Sequence, residues 1–188
     1  METTEEVLAL CRRLAEDVVG GEIECSWVAW LCKDDTWWDG APIIIQVSGV
    51  NYEICWSKEA DCAITRNTIN VHESVRWIDC EELTLFWKKD GLAALQNIVG
   101  QRVNKIQLIE AEVTISNHSD HPPGWSTSYW VSYGINFILT DGFLSIYNAF
   151  DTNGVTDNIN DYPSPYSFGT SRVADRIAAN EDFRLISL

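Results

Sequence analysis

Basic side chains are scarce in this sequence: 13 lysines and arginines stand against 28 aspartates and glutamates, a formal net charge of −15. A field of that sign repels nucleic acid and anionic membrane and attracts basic proteins or cations. The plainer meaning of the same charge is solubility, which acidic cytoplasmic proteins gain in this way. The shortage is uneven, since residues 1–90 hold 18 acids and 8 bases while residues 91–188 hold 10 and 5. Catalytic signatures are missing too. There is no Gly-x-Ser-x-Gly elbow and no glycine-rich phosphate loop. Paired acids such as Asp34 with Asp35 and Glu81 with Glu82 read as solvated faces, and His72 near Cys80 in sequence says little, because catalytic partners are set by space. No catalytic residue is assigned, and the chain reads as a binding protein rather than an enzyme. No run reaches transmembrane length. The stretch from Met1 to Glu6 is acidic where a secretory signal needs a basic start and an apolar segment. A cytoplasmic protein that needs no cofactor is the expectation.

Cysteine is absent after Cys80. All six, Cys11, Cys25, Cys32, Cys55, Cys62 and Cys80, lie in the first half, so a disulfide frame would leave the second half unsupported. Several sit in apolar periodic segments, which points to reduced, buried thiols. A chain of 188 residues buries roughly 70% of its unfolded surface and folds as one domain, 1–188, without staples or metal. The pairs Cys25/Cys32 and Cys55/Cys62 are spaced more widely than the Cys pairs of structural zinc sites. His118 and His121 have no nearby Cys to complete a site. Asp151 to Asp161 is rich in oxygen ligands but has Thr156 and Tyr162 where a calcium loop of the helix–loop–helix type needs Gly and Glu. It reads as a turn-rich loop whose Asx side chains bond their own backbone.

Tryptophan, by contrast, is abundant at nine residues. One reading is a core built on indole rings; the other is a recognition surface, where Trp is enriched. Residues 4–19 predict an amphipathic helix, with Val7, Leu10, Cys11, Leu14 and Val18 at helical spacing. Thr3 with Glu6 forms a capping box, and Gly20 and Gly21 end the helix. Glu22 to Cys32 alternates as a strand with Ile23, Cys25, Trp27 and Ala29 on one face. Lys33 to Gly40 is a polar loop. Pro42 to Val47 and Tyr52 to Trp56 make a hairpin about Ser48 to Asn51. Short strands follow near 62–71, 75–79 and 83–87.

Asp90 then caps a short helix from Gly91 to Val99, closed by Gly100. Val103 to Ile115 is a long strand marked by Val103, Ile106, Leu108, Val113 and Ile115. Ser116 to Gly124 is a loop. Tyr129 to Leu139 and Phe143 to Ala149 form a hairpin across Asp141 and Gly142, with a type I′ turn expected there. Ser171 to Ala179 reads as a last short helix and Phe183 to Ile186 as a last strand. The class is α+β: mostly antiparallel sheet with an N-terminal helix and one or two short helices. Residues 1–90 and 91–188 follow one another's element order, which leaves two readings, an internal pseudo-repeat or a coincidence of short elements.

The segment Asp34, Asp35, Thr36, Trp37, Trp38 and Asp39 sets three carboxylates beside two adjacent aromatics. On a strand the two rings must take opposite faces, so at least one of them is expected to be exposed. Carboxylates around an aromatic anchor suit a Lys- or Arg-rich protein; the bland alternative is a loop that closes the core. Compact, acidic, Trp-rich and without an active-site motif, the chain resembles in type the immunity proteins of bacterial toxin systems. The resemblance covers the overall composition and the helix-plus-hairpin segment from Gly91 to Ala149 and transfers no residues. It implies neutralisation of a basic toxin, often a nuclease, by covering it. Two other classes remain: a small-molecule-binding domain, and a hydrolase with a dispersed site.

Overall fold

The computed structural model describes residues 4–57, 61–75, 84–116, 126–149, 152–158 and 183–188. Helix α1, Thr4–Val18, forms where the sequence predicts it. Val7, Cys11, Leu14 and Val18 are all buried along one stripe, and Gly20 leaves the helix at φ +87°. Thr3 of the expected capping box lies outside the described residues. Burial in apolar surroundings pushes the Cys11 thiol up to about 12. The described cysteines are free, but Cys32 is exposed and Cys55 half-buried, against the expectation of burial. Cys80, His118, His121 and the expected helix from Ser171 to Ala179 fall outside the described residues.

Two antiparallel sheets follow. The first holds β1 (Ile23–Leu31), β2 (Thr36–Trp37), β3 (Ile43–Val47), β4 (Val50–Ser57), β5 (Asp61–Arg66) and β6 (Leu85–Lys89). Strands β1, β3, β4 and β5 run as a meander, and β6 pairs with β1 over residues 27–31. Because β6 occupies one edge of β1, the stub β2 shares the other edge with β3. The short helix α2, Ala93–Gln96, leads to the second sheet, made of β7 (Val103–Ser116), β8 (Ser126–Leu139), β9 (Phe143–Asn148), β10 (Asn153–Thr156) and β11 (Phe183–Ser187). Here β7 to β10 run as a meander and β11 pairs with β7 over residues 107–111. The class is therefore α+β with mostly antiparallel sheet. Among the described residues no helix is long and apolar enough to cross a membrane.

Both sheets and α1 close on one core, in which Trp56, Ile54 and Ile45 of the first sheet meet Phe137, Ile146 and Ile106 of the second. A short ladder joins the sheets at their origins. Gly20 N–H donates to Val103 O (2.7 Å) and Gly100 N–H to Ile23 O (2.8 Å). Ile23 N–H donates to Gln101 O and Val103 N–H to Gly21 O, both at 2.9 Å.

Several expectations need correction. A bulge between Ile23 and Cys25 breaks the alternation of β1. Ile23 and Val28 thus face the common core, while Cys25, Trp27 and Ala29 take the opposite face, because a one-residue insertion flips every later side chain. Asp90 does not cap a helix. The N-cap of α2 is Leu92, with no side-chain bond. Asp90 instead sits at φ +46° and accepts from Ser26 N–H (2.8 Å) and Ser26 O–H (3.0 Å), pinning the end of β6 to β1. Asp151 to Asp161 is not all loop, since Asn153–Thr156 is a strand.

The type I′ turn lies in the other hairpin. Ser48 and Gly49, at φ +51° and +77°, join the paired residues Val47 and Val50. In the β8–β9 turn Gly142 has φ +97° but Asp141 is not among the positive-φ residues. A β-branched side chain resists that region, so Gly142→Val should lower stability by about 1 kcal/mol or more. Urea unfolding checks this, and an unchanged midpoint would contradict it.

Candidate functional site

The predicted segment from Asp34 to Asp39 forms the tip and return of the β1–β2 hairpin, and pairing fixes where its rings point. Residues opposite each other in an antiparallel pair share a face. Trp30 pairs with Trp37 on β2 and with Phe86 on β6. Phe86, Trp30 and Trp37 thus form one aromatic row across three strands, on the face that Val28 presents to the core. Phe86 is 41% exposed, while Trp30 and Trp37 are half-buried and pack on the core's rim. On the opposite face Ala29 pairs with Trp87, and Trp38 N–H donates to Ala29 O at 2.8 Å, so two rings flank a small side chain. Trp38 follows β2 directly, and both it and Trp37 are half-buried.

Four of the nine tryptophans, Trp27, Trp30, Trp37 and Trp87, stand on these three strands, and Trp38 lies just beyond β2. The reason a two-residue strand forms here lies in its ends. Asp35 takes φ +47°, a conformation Asp tolerates better than most side chains, and its carboxylate accepts from Trp30 Nε1–H at 2.8 Å. At the other end, Asp39 O accepts from both the backbone N–H and the side-chain amide of Asn153 on β10, each at 2.9 Å. Gly40 lets the ring of Trp38 fold close. A Cβ there would lie 3.0 Å from Trp38 Nε1.

The electrostatics differ from what the segment alone suggests. Strand β6 brings Lys88 and Lys89 beside the hairpin, and Lys88 Nζ lies 3.3 Å from the centre of the Trp30 ring. Lys33 within the segment and the two lysines of β6 offset its three carboxylates in number, so any net attraction for a basic partner comes from the chain as a whole. Asp35 is engaged with Trp30; Asp34 and Asp39 are exposed, and their carboxylates have no partner among the described residues. The indole N–H groups of Trp37 and Trp38 are covered and have no hydrogen-bond partner among the described residues, a cost that folded proteins seldom carry.

Sequence reasoning found Trp37 and Trp38 and missed Trp30, Phe86 and Lys88. The signal was present only as alternation in Trp27 to Leu31 and Leu85 to Lys89; the register that joins them is a long-range fact. Among the described residues no group of three or more His, Cys, Asp or Glu side chains converges as a metal site would. Comparison of the chain with family models, with curated proteins and with solved structures finds no match.

Proposed function

We propose that this chain is an acidic binding protein of the immunity type, which covers a basic protein partner with the tryptophan-lined end of its first sheet. The observation that carries the reading is the half-exposed row Phe86–Trp30–Trp37. Aromatic anchors in a polar rim are what protein interfaces concentrate. Lys88 over Trp30 is an internal example of the cation–ring contact that a partner's Lys or Arg would make. The two unmet indole donors add to it, because a partner's carbonyl reached by a small ring rotation would relieve a cost the free chain bears. Steering falls to the overall charge of −15, and the cytoplasm is the expected setting.

We also infer that residues 1–90 and 91–188 descend from one repeated unit. The support is positional. Gly20 and Gly100 both turn at positive φ three residues before a core residue, Ile23 and Val103. Both strands have a bulge directly after it. Residues 27–31 and 107–111 each take the returning last strand of their sheet, and all four pairs are 80 positions apart.

The test is co-expression with the product of any neighbouring gene that proves toxic on its own, together with binding kinetics on the purified pair. Association should slow with added salt. Trp37→Ala and Trp30→Ala should each hasten dissociation by about thirty-fold, the effect of losing an anchor of about 2 kcal/mol. Asp34→Asn should mainly slow association. Dissociation and toxin relief both unchanged in the Trp30→Ala, Trp37→Ala double variant would remove this surface from the function.

A further inference from the structure

A cavity of about 460 Å³ opens between α1 and the edge of the first sheet, away from the tryptophan row. That volume lies in the range of small-molecule sites. The pairing of β4 with β5 builds its floor, since Tyr52 lies opposite Arg66 and Ile54 opposite Ile64 on the face beneath the helix. From α1, Leu10, Arg13 and Asp17 line the opposite wall. The side chains sort by chemistry, with Leu10 and Ile64 offering apolar surface, Tyr52 and the two arginines offering donors, and Glu16 and Asp17 offering carboxylates.

Tyr52 is 5% exposed and lines the cavity, yet its hydroxyl has no hydrogen-bond partner among the described residues. Burial, then the Asp17 carboxylate, raise its pKa against the opposing effect of Arg66, so at neutral pH the phenol is a donor. Arg13 makes only a long bond, Nε–H to Ala9 O at 3.5 Å. Arg66 reaches Asp17 at 3.3 Å through one nitrogen and is 66% exposed, leaving most of its five donors free. Three donors therefore surround an apolar floor, with Asp17 held by Arg66 and Glu16 the second carboxylate of the lining. At the corresponding place in the second half Asn97 Nδ2–H donates to Asp157 Oδ2 at 2.8 Å.

We propose that this cavity binds a small organic carboxylate, its head held by Arg13, Arg66 and Tyr52 and its aromatic or aliphatic body laid on Leu10 and Ile64. Arginine matches a carboxylate through paired N–H groups, and the phenol supplies a third donor.

The experiment is a titration of the amide spectrum with three probes, benzoate, phenylacetate and indole-3-acetate, with acetate and benzyl alcohol as controls. At least one aryl carboxylate should shift the amides of Leu10, Tyr52, Ile64 and Arg66 saturably, and both controls should bind more weakly. Arg13→Gln should weaken binding about tenfold, the loss of one charge-assisted contact. Tyr52→Phe, which keeps the ring, should weaken it by about three- to tenfold. Arg66→Gln also strips Asp17 of its partner, so Arg13→Gln is the cleaner variant, and both lie at exposed positions where folding is unaffected. The proposal is overturned if none of the three probes saturates at millimolar concentration, if benzyl alcohol binds as tightly as benzoate, or if the Arg13→Gln, Arg66→Gln double variant binds unchanged.

Discussion

Asn153→Ala should remove about 4 kcal/mol of stability, most of the margin of a typical domain. Asn153 is 1% exposed and stands where the two sheets meet. Its Oδ1 accepts from the backbone N–H of Trp56 at 2.7 Å. Its Nδ2 donates to Asp39 O at 2.9 Å and Ala41 O at 3.0 Å. The substitution deletes these three bonds and a weaker one from Nδ2 to Cys55 Sγ at 3.8 Å, and strands the Trp56 N–H and the Ala41 carbonyl in the interior. A buried unmet group costs its full desolvation, about 1–3 kcal/mol. The same change removes one of the two bonds to the Asp39 carbonyl at the return of the β1–β2 hairpin, while the Asn153 backbone N–H keeps the other. Asn153→Asp is a sharper probe. It keeps the acceptor for Trp56 but turns a second oxygen toward two carbonyls, so at neutral pH it should cost at least as much as alanine. Protonation restores one donor. The folded state then favours the protonated form, and the deficit should shrink as pH falls. Urea unfolding at two pH values measures both. A loss under about 1 kcal/mol for Asn153→Ala would mean that other contacts hold the sheets together.

That residue also shows where a sequence stops being informative. Asn153 sits among Thr, Asp, Asn and Gly, so local chemistry reads it as a turn former. Its actual partners lie 97 and 112 positions away. Helix α1, strands β3, β7, β9 and β11, and the positive φ of Gly142 were legible, because each rests on a periodicity or a backbone preference contained in a few residues. The bulge after Ile23 was not. It inserts one residue without any compositional mark, and the three cysteine-side residues it displaces alternate as well after it as before. Asp90 misled for a related reason: an Asp before a Gly-Leu-Ala-Ala run is a fair helix cap, yet Ser26 on β1 offers it two donors instead.

The candidate site was legible by half. Two adjacent tryptophans on a strand must face opposite ways, and that deduction needs only the pleat. The row through Trp30 and Phe86 needs the register of β6 against β1, which spans more than fifty positions. Charge was read too locally. The acids of the hairpin were visible as a run, whereas Lys88 and Lys89 reached them only through folding. The groove under α1 left no mark at all, since Arg13, Tyr52 and Arg66 belong to three elements and each alone is an ordinary surface or core residue.

Arg184→Ala should cost about 3 kcal/mol, and a second substitution should return most of it. Glu110 is wholly buried on β7, paired with Arg184 on β11 and with Ser132 on β8. Its Oε2 bonds Arg184 Nε, while Oε1 and the Ser132 hydroxyl have no partner among the described residues. The arginine side chain is 46% exposed and lies 4.4 Å from the centre of the Trp130 ring. Under the proposed repeat, Glu110 takes the place of Trp30 and Arg184 that of Phe86, so an ion pair occupies in the second half what aromatics occupy in the first. Removing the cation leaves a buried carboxylate uncompensated, and half-exposure of the arginine holds the expected loss to the lower end of the range for buried pairs. About 0.5–1 kcal/mol of it belongs to the contact with Trp130. Glu110→Leu alone should be close to neutral, because it removes the charge and its unmet oxygen together while Arg184 turns to solvent. Combined with Arg184→Ala, it should recover all but the Trp130 contribution. A double-mutant cycle by urea unfolding measures the coupling. If Glu110→Leu fails to rescue Arg184→Ala, the arginine contributes through packing, and the ion pair is not what holds β11 to the second sheet.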